Sequence, residues 1–339
     1  MAEPDPTPES EAALARAREW GIHTIPVPTP FAVGRINCYL LEGDPLTLID
    51  AGPRSEKSLQ ELEEGVRAAG FGIEDIELVV ATHQHIDHIG QIANVVERSG
   101  AEVAAIDLVV ERLAEFSWGS EQEDQMAVDL MIRYGVPEDI ANLLKDVTAS
   151  FRELGAPVEV TRPFAAGDEI EMGSRRYLTF HRPGHSPSDT VFWDEERRLM
   201  FGGDHLLSHI SSNPLISKPL DRESGRTKSL INYRDSLRAT AEMPIEIMLS
   251  GHGLAITEHA ELIEKRLAGQ DRRTEKIYRL VAEGDETPHA VANAIWGDIA
   301  LTQAYLTLSE VIGHLDILVA DGRVAEHVGE RYSTFEAVP

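Results

Sequence analysis

The stretch Leu78-Val79-Val80-Ala81-Thr82-His83-Gln84-His85-Ile86-Asp87-His88 decides how the rest of the chain is read. Its first four residues are all apolar, as a strand buried on both faces should be. Its last six hold three imidazoles and a carboxylate. His83 and His85 are two apart, so in extended chain their side chains share a face. Asp87 and His88 fall where a helix is expected to start, running to about Glu97 and stopping before Gly100. At a strand's carboxyl end, clustered imidazole and carboxylate are the ligand types that zinc and neighbouring transition metals take.

Three further candidates stand at wide spacing: Gly184-His185, Gly202-Gly203-Asp204 and Gly251-His252-Gly253. Each follows an expected strand, at 176–181, 198–202 and 246–250, beside glycine, where backbone can approach closely. Alone, His185 or His252 reads as an ordinary core or surface histidine; beside the 83–88 cluster both read as ligands. Upstream, short apolar and β-branched runs predict strands at 22–27, 36–41 and 46–49, the last leading into Asp50 of LIDAGP. A helix at 55–69 is opened by Ser55 and closed by Gly70, and AEVAAI makes a strand ending at Ile106. Further strands are expected at 157–161, 169–172 and 190–194, a polar loop at 208–228 and a helix at 231–242. Strands then helix, twice over, suggest two sheets with helices outside.

Residues 1–20 read as an N-terminal arm, loose and acidic over 1–11. The segment 107–155 carries apolar residues at helical spacing, with Gly135 and Pro137 between two helices, and is expected as a helical insertion in a domain spanning 21–257. From 258 to 339 the pattern is helical up to a GRV turn, with Thr287-Pro288 as a helix start. Three helices and a short hairpin resemble a small winged-helix module.

The chain has 339 residues, 42% of them hydrophobic, enough for a sizeable core. Its 58 acidic and 31 basic residues give a formal charge of −27. That surface disfavours a nucleic-acid partner, and no dense basic run is present to offset it. One cysteine, Cys38, rules out an intrachain disulfide and lies in an expected core strand. No apolar run approaches a membrane span, so no membrane partner is expected. The N-terminus lacks the basic and apolar parts of a signal peptide, so a cytoplasmic location is expected.

The order HxHxDH, GH, GD, GHG resembles the metallo-β-lactamase fold superfamily over residues 21–256. The resemblance implies an α/β fold, an αββα sandwich with two divalent metal ions at one edge between the sheets. It implies His83, His85 and His185 on the first ion, Asp87, His88 and His252 on the second, and Asp204 bridging. Asp50 would support a ligand from behind. Zinc is expected, and manganese or iron suits the same set. Asp204 as a bridge, with no cysteine ligand, is similar to the glyoxalase II group, the lactonases and the acyl-thioesterase-like hydrolases. The C-terminal module resembles the subgroup that includes a mitochondrial endoribonuclease and stand-alone thioesterases of aromatic polyketide pathways.

Such a centre implies hydrolysis of an ester, thioester or lactone of a small acid by a metal-bridging hydroxide. The competing reading is a metal-dependent endoribonuclease or phosphodiesterase, disfavoured by the charge. A di-iron redox protein would carry a glutamate in the place held by His85 and a flavin domain after it, and a non-catalytic binder would have lost ligands; neither pattern is present. Asp87 is a candidate for moving a proton, and Tyr233, in NYRDSL, for donating to a developing oxyanion or for anchoring its helix. Asp189 adds negative charge after His185, where relatives have a small or polar residue. Arg182, His209, Lys218 and Arg226 are candidates to meet an anionic substrate, and Trp118 and Met126 to line an apolar pocket. A small-molecule acyl substrate is the expected partner, and the helical tail offers a surface for a homodimer.

Overall fold

Six strands form one sheet of the computed structural model, which describes residues 4–220, 225–284 and 286–338. In spatial order they are β1 (Ile22–Val27), β2 (Ile36–Leu41), β3 (Thr47–Ile49), β4 (Leu78–Val80), β5 (Glu102–Ile106) and β6 (Arg162–Phe164). The first three pair antiparallel, and from β3 to β6 every pair is parallel. The second sheet holds β7 (Glu169–Met172), β8 (Arg175–His181), β9 (Thr190–Asp194), β10 (Leu199–Gly203) and β11 (Ile247–Ser250), in the order β11-β10-β9-β8-β7. Only its β10–β11 pair is parallel.

Alternation along the strands explains the layering. Phe192, Leu199, Phe201 and Leu249 point between the sheets, where Tyr39 meets Phe201 with ring centroids 5.3 Å apart and Phe164 meets Phe192 at 5.9 Å. Their neighbours Val191, Trp193, Met200 and Met248 point outward, onto Leu230 and Leu237 of helix Ser229–Ala241 and Ile263 of helix His259–Glu283. The first sheet is covered by helix Glu56–Ala68 through Leu62 and Val66, and by helix Ile92–Ser99 through Ile92 and Val95. The result is the helix–sheet–sheet–helix sandwich expected from the sequence. Cys38 sits fully buried in β2, where burial pushes its thiol well above its ordinary pKa.

Two local expectations are corrected. Residues 8–19 do not belong to a loose arm. They form helix Pro8–Glu19, capped by Thr7 Oγ1 accepting from the Ser10 amide at 3.1 Å, and Ala13 and Ala17 dock in the core beside β1. The strand expected at 157–161 is displaced to Arg162–Phe164, because the Val158 amide donates to the Leu113 carbonyl at 2.9 Å and not to β5. Pro163 is tolerated there because β6 is an edge strand.

The insertion folds into helices Phe116–Arg133 and Glu138–Ser150. The C-terminal part runs as helices His259–Glu283, Pro288–Trp296, Ile299–Thr302 and Ala304–Ala320, then an antiparallel hairpin of β12 (Val324–Val328) and β13 (Ser333–Ala337). The two segments share one apolar core. Val128, Met131, Tyr134 and Ala141 pack with Ile277, Leu308, Ile312, Leu315 and Phe335, and Ile216 of the 208–228 loop joins them.

Candidate metal centre

Five strand ends converge at one edge of the sandwich. Asp50 follows β3, the run Thr82–His88 follows β4, His185 lies in the β8–β9 turn, Asp204 follows β10 and His252 follows β11. Gly251 lets the last of these come close: a Cβ there would stand 2.4 Å from Asp204 Oδ1 and 2.8 Å from His88 Cε1.

The first group is three imidazoles. His83 Nε2 lies 3.1 Å from His85 Nδ1, which lies 2.9 Å from His185 Nε2. Ligands about 2.0–2.1 Å from a tetrahedral zinc stand roughly 3.3 Å apart, so these nitrogens are already near ligand spacing. Their outer nitrogens fix how the rings face. Thr82 Oγ1 donates its proton to Asp50 Oδ2 at 2.8 Å and so accepts from His83 Nδ1 at 3.0 Å. His185 Nδ1 donates to the Asn213 carbonyl at 3.1 Å.

The second group is Asp87, His88 and His252, whose ligand atoms all lie within 4.8 Å of one another. His88 Nδ1 donates to Asp50 Oδ2 at 2.7 Å and His252 Nδ1 to the Arg35 carbonyl at 2.8 Å, which turns both Nε2 atoms inward. Asp204 lies between the groups. Its Oδ1 is 3.4 Å from His88 Nε2, and its Oδ2 is 3.5 Å from both His185 Nε2 and His252 Nε2. His88 Nε2, His252 Nε2 and Asp204 Oδ1 are buried with no hydrogen-bond partner. Each such atom costs about 1–3 kcal/mol, and cations held by the groups His83–His88–Asp204 and Asp87–His88–His252 would relieve them. The clusters therefore suit metal ions, and all seven residues expected as ligands meet here.

The electrostatics divide the two groups. Burial, with the neighbouring imidazoles, holds His83 well below its ordinary pKa and His85 at about 3, so both present neutral lone pairs. Burial alone would lower His88 and His252 too, but the Asp204 carboxylate, with Asp50 or Asp87, overrides it and raises both. Burial would raise Asp87, yet the nearby His252 imidazole, its Nε2 3.4 Å from Asp87 Oδ2, and His88 hold it at about 2. Asp87 is thus ionised at neutral pH, as a ligand or proton acceptor must be. Asp204 is held well below the carboxylate range against burial by His252 and His88. His85 and His185 are partly exposed and the other five buried, so the centre opens to solvent on the His85–His185 side.

Other candidates fall outside it. Tyr233 is fully buried, and its hydroxyl donates to the His205 carbonyl at 2.8 Å, a bond that ties its helix to the residue after Asp204. Asp189 adds no exposed charge: it is buried, accepts from the Ser186 amide at 2.9 Å, and burial pushes it up to about 6. Arg226 is held in a two-pronged pair with Asp316 at 2.6 and 2.7 Å, and Lys218 Nζ donates to Gln122 Oε1 at 3.1 Å. Arg182 stacks on Phe180, 4.7 Å from the ring centre, and His209 Nε2 faces the Val33 carbonyl at 3.4 Å. The Trp118 side chain lies outside the described residues. The sequence reading missed Thr82, Asn213 and the Arg35 carbonyl, all of which orient candidate ligands. Only Thr82, a hydroxyl between the buried strand and His83, gave a side-chain signal.

A family model described as the metallo-beta-lactamase superfamily matches residues 32–252. The chain is 33% identical over 303 residues, 89% of its own length and 93% of the relative's, to the probable metallo-hydrolase YqjP of Bacillus subtilis. It is 29% identical over 180 residues, 50% of its own length and 57% of the relative's, to the acyl-coenzyme A thioesterase MBLAC2 of Gallus gallus. The metallo-beta-lactamase family protein TTHA1429 from Thermus thermophilus has the same fold, with a TM-score of 0.76 at 22% identity over 94% of this chain and 99% of that one.

Proposed function

Because the chain belongs to the metallo-beta-lactamase superfamily, and so to the metal-dependent hydrolases, we propose that it cleaves an ester, thioester or lactone bond of a small acid at a centre of two divalent ions. The observation that carries this reading is Asp204, set between two ligand groups with buried partnerless atoms around it. The thioesterase relative supports the acyl class. In this reading His83, His85 and His185 would hold one ion and Asp87, His88 and His252 the other, with Asp204 as the shared ligand. When bound, the ions supply an acidified water and polarise the bond to be cleaved. Zinc suits an imidazole-rich set, with manganese and iron as alternatives.

The chain's own residues prepare the site. Thr82, Asp50, Asn213 and Arg35 take the outer imidazole protons and turn the inner nitrogens toward the centre. Asp87 and Asp204 stay ionised at neutral pH, so two negative charges face the ions. Burial on the His88–His252 side keeps bulk water out and leaves substrate to enter past His85 and His185.

Thiol release from a panel of acyl thioesters by metal-loaded protein tests the reading. Turnover that Asp204→Ala abolishes is expected. Absence of turnover on thioesters, simple esters and lactones alike would overturn it, and single-stranded RNA would then be the substrate to try.

A further inference from the structure

The orienting groups behind His83, His88 and His252 sit at the strand ends of the sandwich: Thr82 after β4, Asp50 after β3 and Arg35 before β2. The group behind His185 does not. It is the main-chain carbonyl of Asn213, in the 208–228 loop, whose described residues form no helix or strand. That carbonyl can direct an imidazole only if something outside the loop holds it.

Ser229 of helix Ser229–Ala241 ties the loop through the Leu215 carbonyl, and the Leu215 amide donates to the His185 carbonyl at 3.4 Å, but the holder of the Asn213 side chain itself is helix Ala304–Ala320. Asn213 Nδ2 donates to the Leu306 carbonyl at 3.2 Å. Three residues on, the Ile216 amide donates to Ser309 Oγ at 3.3 Å, and the Tyr305 hydroxyl donates to the Ile216 carbonyl. The Ile216 side chain is buried in the same apolar cluster as Leu308 and Ile312. Beyond the 221–224 segment, Arg226 grips Asp316 of the same helix. On the other side of the loop, Ser212 Oγ donates to the Asp204 carbonyl at 2.6 Å. The loop is thus stretched between the candidate bridging residue and the C-terminal helix, with the His185 acceptor in between.

We propose that Asn213 and Tyr305 are positioning residues for His185, through which the C-terminal helix sets the direction of that imidazole and the affinity for the ion it holds. The affinity part rests on the two-ion reading above; the orientation part does not. The hydrogen bond from His185 Nδ1 leaves Nε2 bare, facing His85 and Asp204. Release of the loop frees the ring to turn or to carry its proton on Nε2, which blocks ligation.

The test is the pair of substitutions Asn213→Ala and Tyr305→Phe, singly and together. Both leave the Asn213 carbonyl in place and remove only its supports. Leu301→Ala, on the neighbouring short helix, is the control. Long-range 1H–15N spectra of metal-free protein report which His185 nitrogen carries the proton, with the resonance assigned by its loss in His185→Asn. Cobalt titration followed by visible absorption reports the two ion affinities. Wild type and Leu301→Ala are expected to show a single Nδ1–H form. The double substitution is expected to show a mixture, with one ion bound roughly tenfold more weakly and the other unchanged. A folded double variant with a single Nδ1–H form and both affinities intact would overturn the proposal. Should the double variant fail to fold, the same comparison on Asn213→Ala alone decides. Wild-type protein that takes up no cobalt would overturn the two-ion reading, while the tautomer comparison would still decide whether the helix orients His185.

Discussion

Asp50→Asn changes one atom and reaches the candidate centre directly through His88 and, by way of the Thr82 hydroxyl, through His83. The carboxylate accepts from the Thr82 amide at 2.9 Å, the Thr82 hydroxyl at 2.8 Å and His88 Nδ1 at 2.7 Å. In the amide variant the oxygen keeps the Thr82 amide, and the NH2 group replaces the oxygen that faces His88. The Thr82 hydroxyl can rotate to accept, but His88 Nδ1 must give up its proton to avoid two donors in contact. The proton then moves to Nε2, which faces Asp204 Oδ1 at 3.4 Å and must be bare to hold an ion. Return to the ligating form would bury an unsatisfied donor, at about 1–3 kcal/mol, or roughly a 5- to 150-fold loss of affinity. Effects of about 10- to 100-fold for partners of metal-bound histidine fall in the same range. Competition titration with a chromophoric chelator measures it. An ion held by Asp87, His88 and His252 should weaken by one to two decades, and an ion held by His83, His85 and His185 by less, since His83 is reached only through the Thr82 hydroxyl. Wild-type affinity for both ions in folded Asp50→Asn protein would refute the claim that Asp50 sets the His88 tautomer.

Three further outcomes follow from the geometry. Tyr233→Phe loses the bond to the His205 carbonyl and the hydroxyl contact with Ser212, so urea unfolding should show about 1–2 kcal/mol of lost stability with kcat unchanged; a large fall in kcat at unchanged stability would return Tyr233 to the chemistry. Gly251→Ala places a methyl 2.4 Å from Asp204 Oδ1, so metal analysis should show ion loss although no ligand is altered; full occupancy would contradict the close approach. Asp189 is held at about 6, above its unfolded value, so its ionisation lowers stability as pH rises from about 4 to about 6 and the loss persists above. Asp189→Asn should therefore stabilise metal-free protein by up to about 3 kcal/mol at pH 8 and give no gain at pH 4, and an equal effect at both pH values would contradict this origin.

Much of this architecture is legible in the sequence because both sheets are covered on both faces. The runs 22–27, 36–41, 169–172 and 190–194 match β1, β2, β7 and β9 residue for residue, since each is bounded by turn residues. The candidate ligands were legible for a related reason: a histidine or aspartate beside glycine after an apolar strand has few other uses. Backbone partners were not. The carbonyls of Asn213 and Arg35 orient His185 and His252, yet a carbonyl belongs to every residue and leaves no mark in the text. Nor was the shared core of the insertion and the C-terminal helices, because periodicity shows which face of Phe116–Arg133 is buried and not that Leu308 and Ile312 cover it. The helix Pro8–Glu19 was overlooked although Thr7-Pro8 is an ordinary start signal, since the acidic text around it reads as unstructured.

The central claim is that seven side chains gathered from separate strand ends hold two ions through a shared Asp204. Metal content per chain by mass spectrometry, for wild type and for Asp204→Ala after equilibration with zinc, tests it most directly. Two ions per wild-type chain, and fewer than one retained in Asp204→Ala, is the result expected. No ion in the wild type, or two retained by the variant, would contradict it.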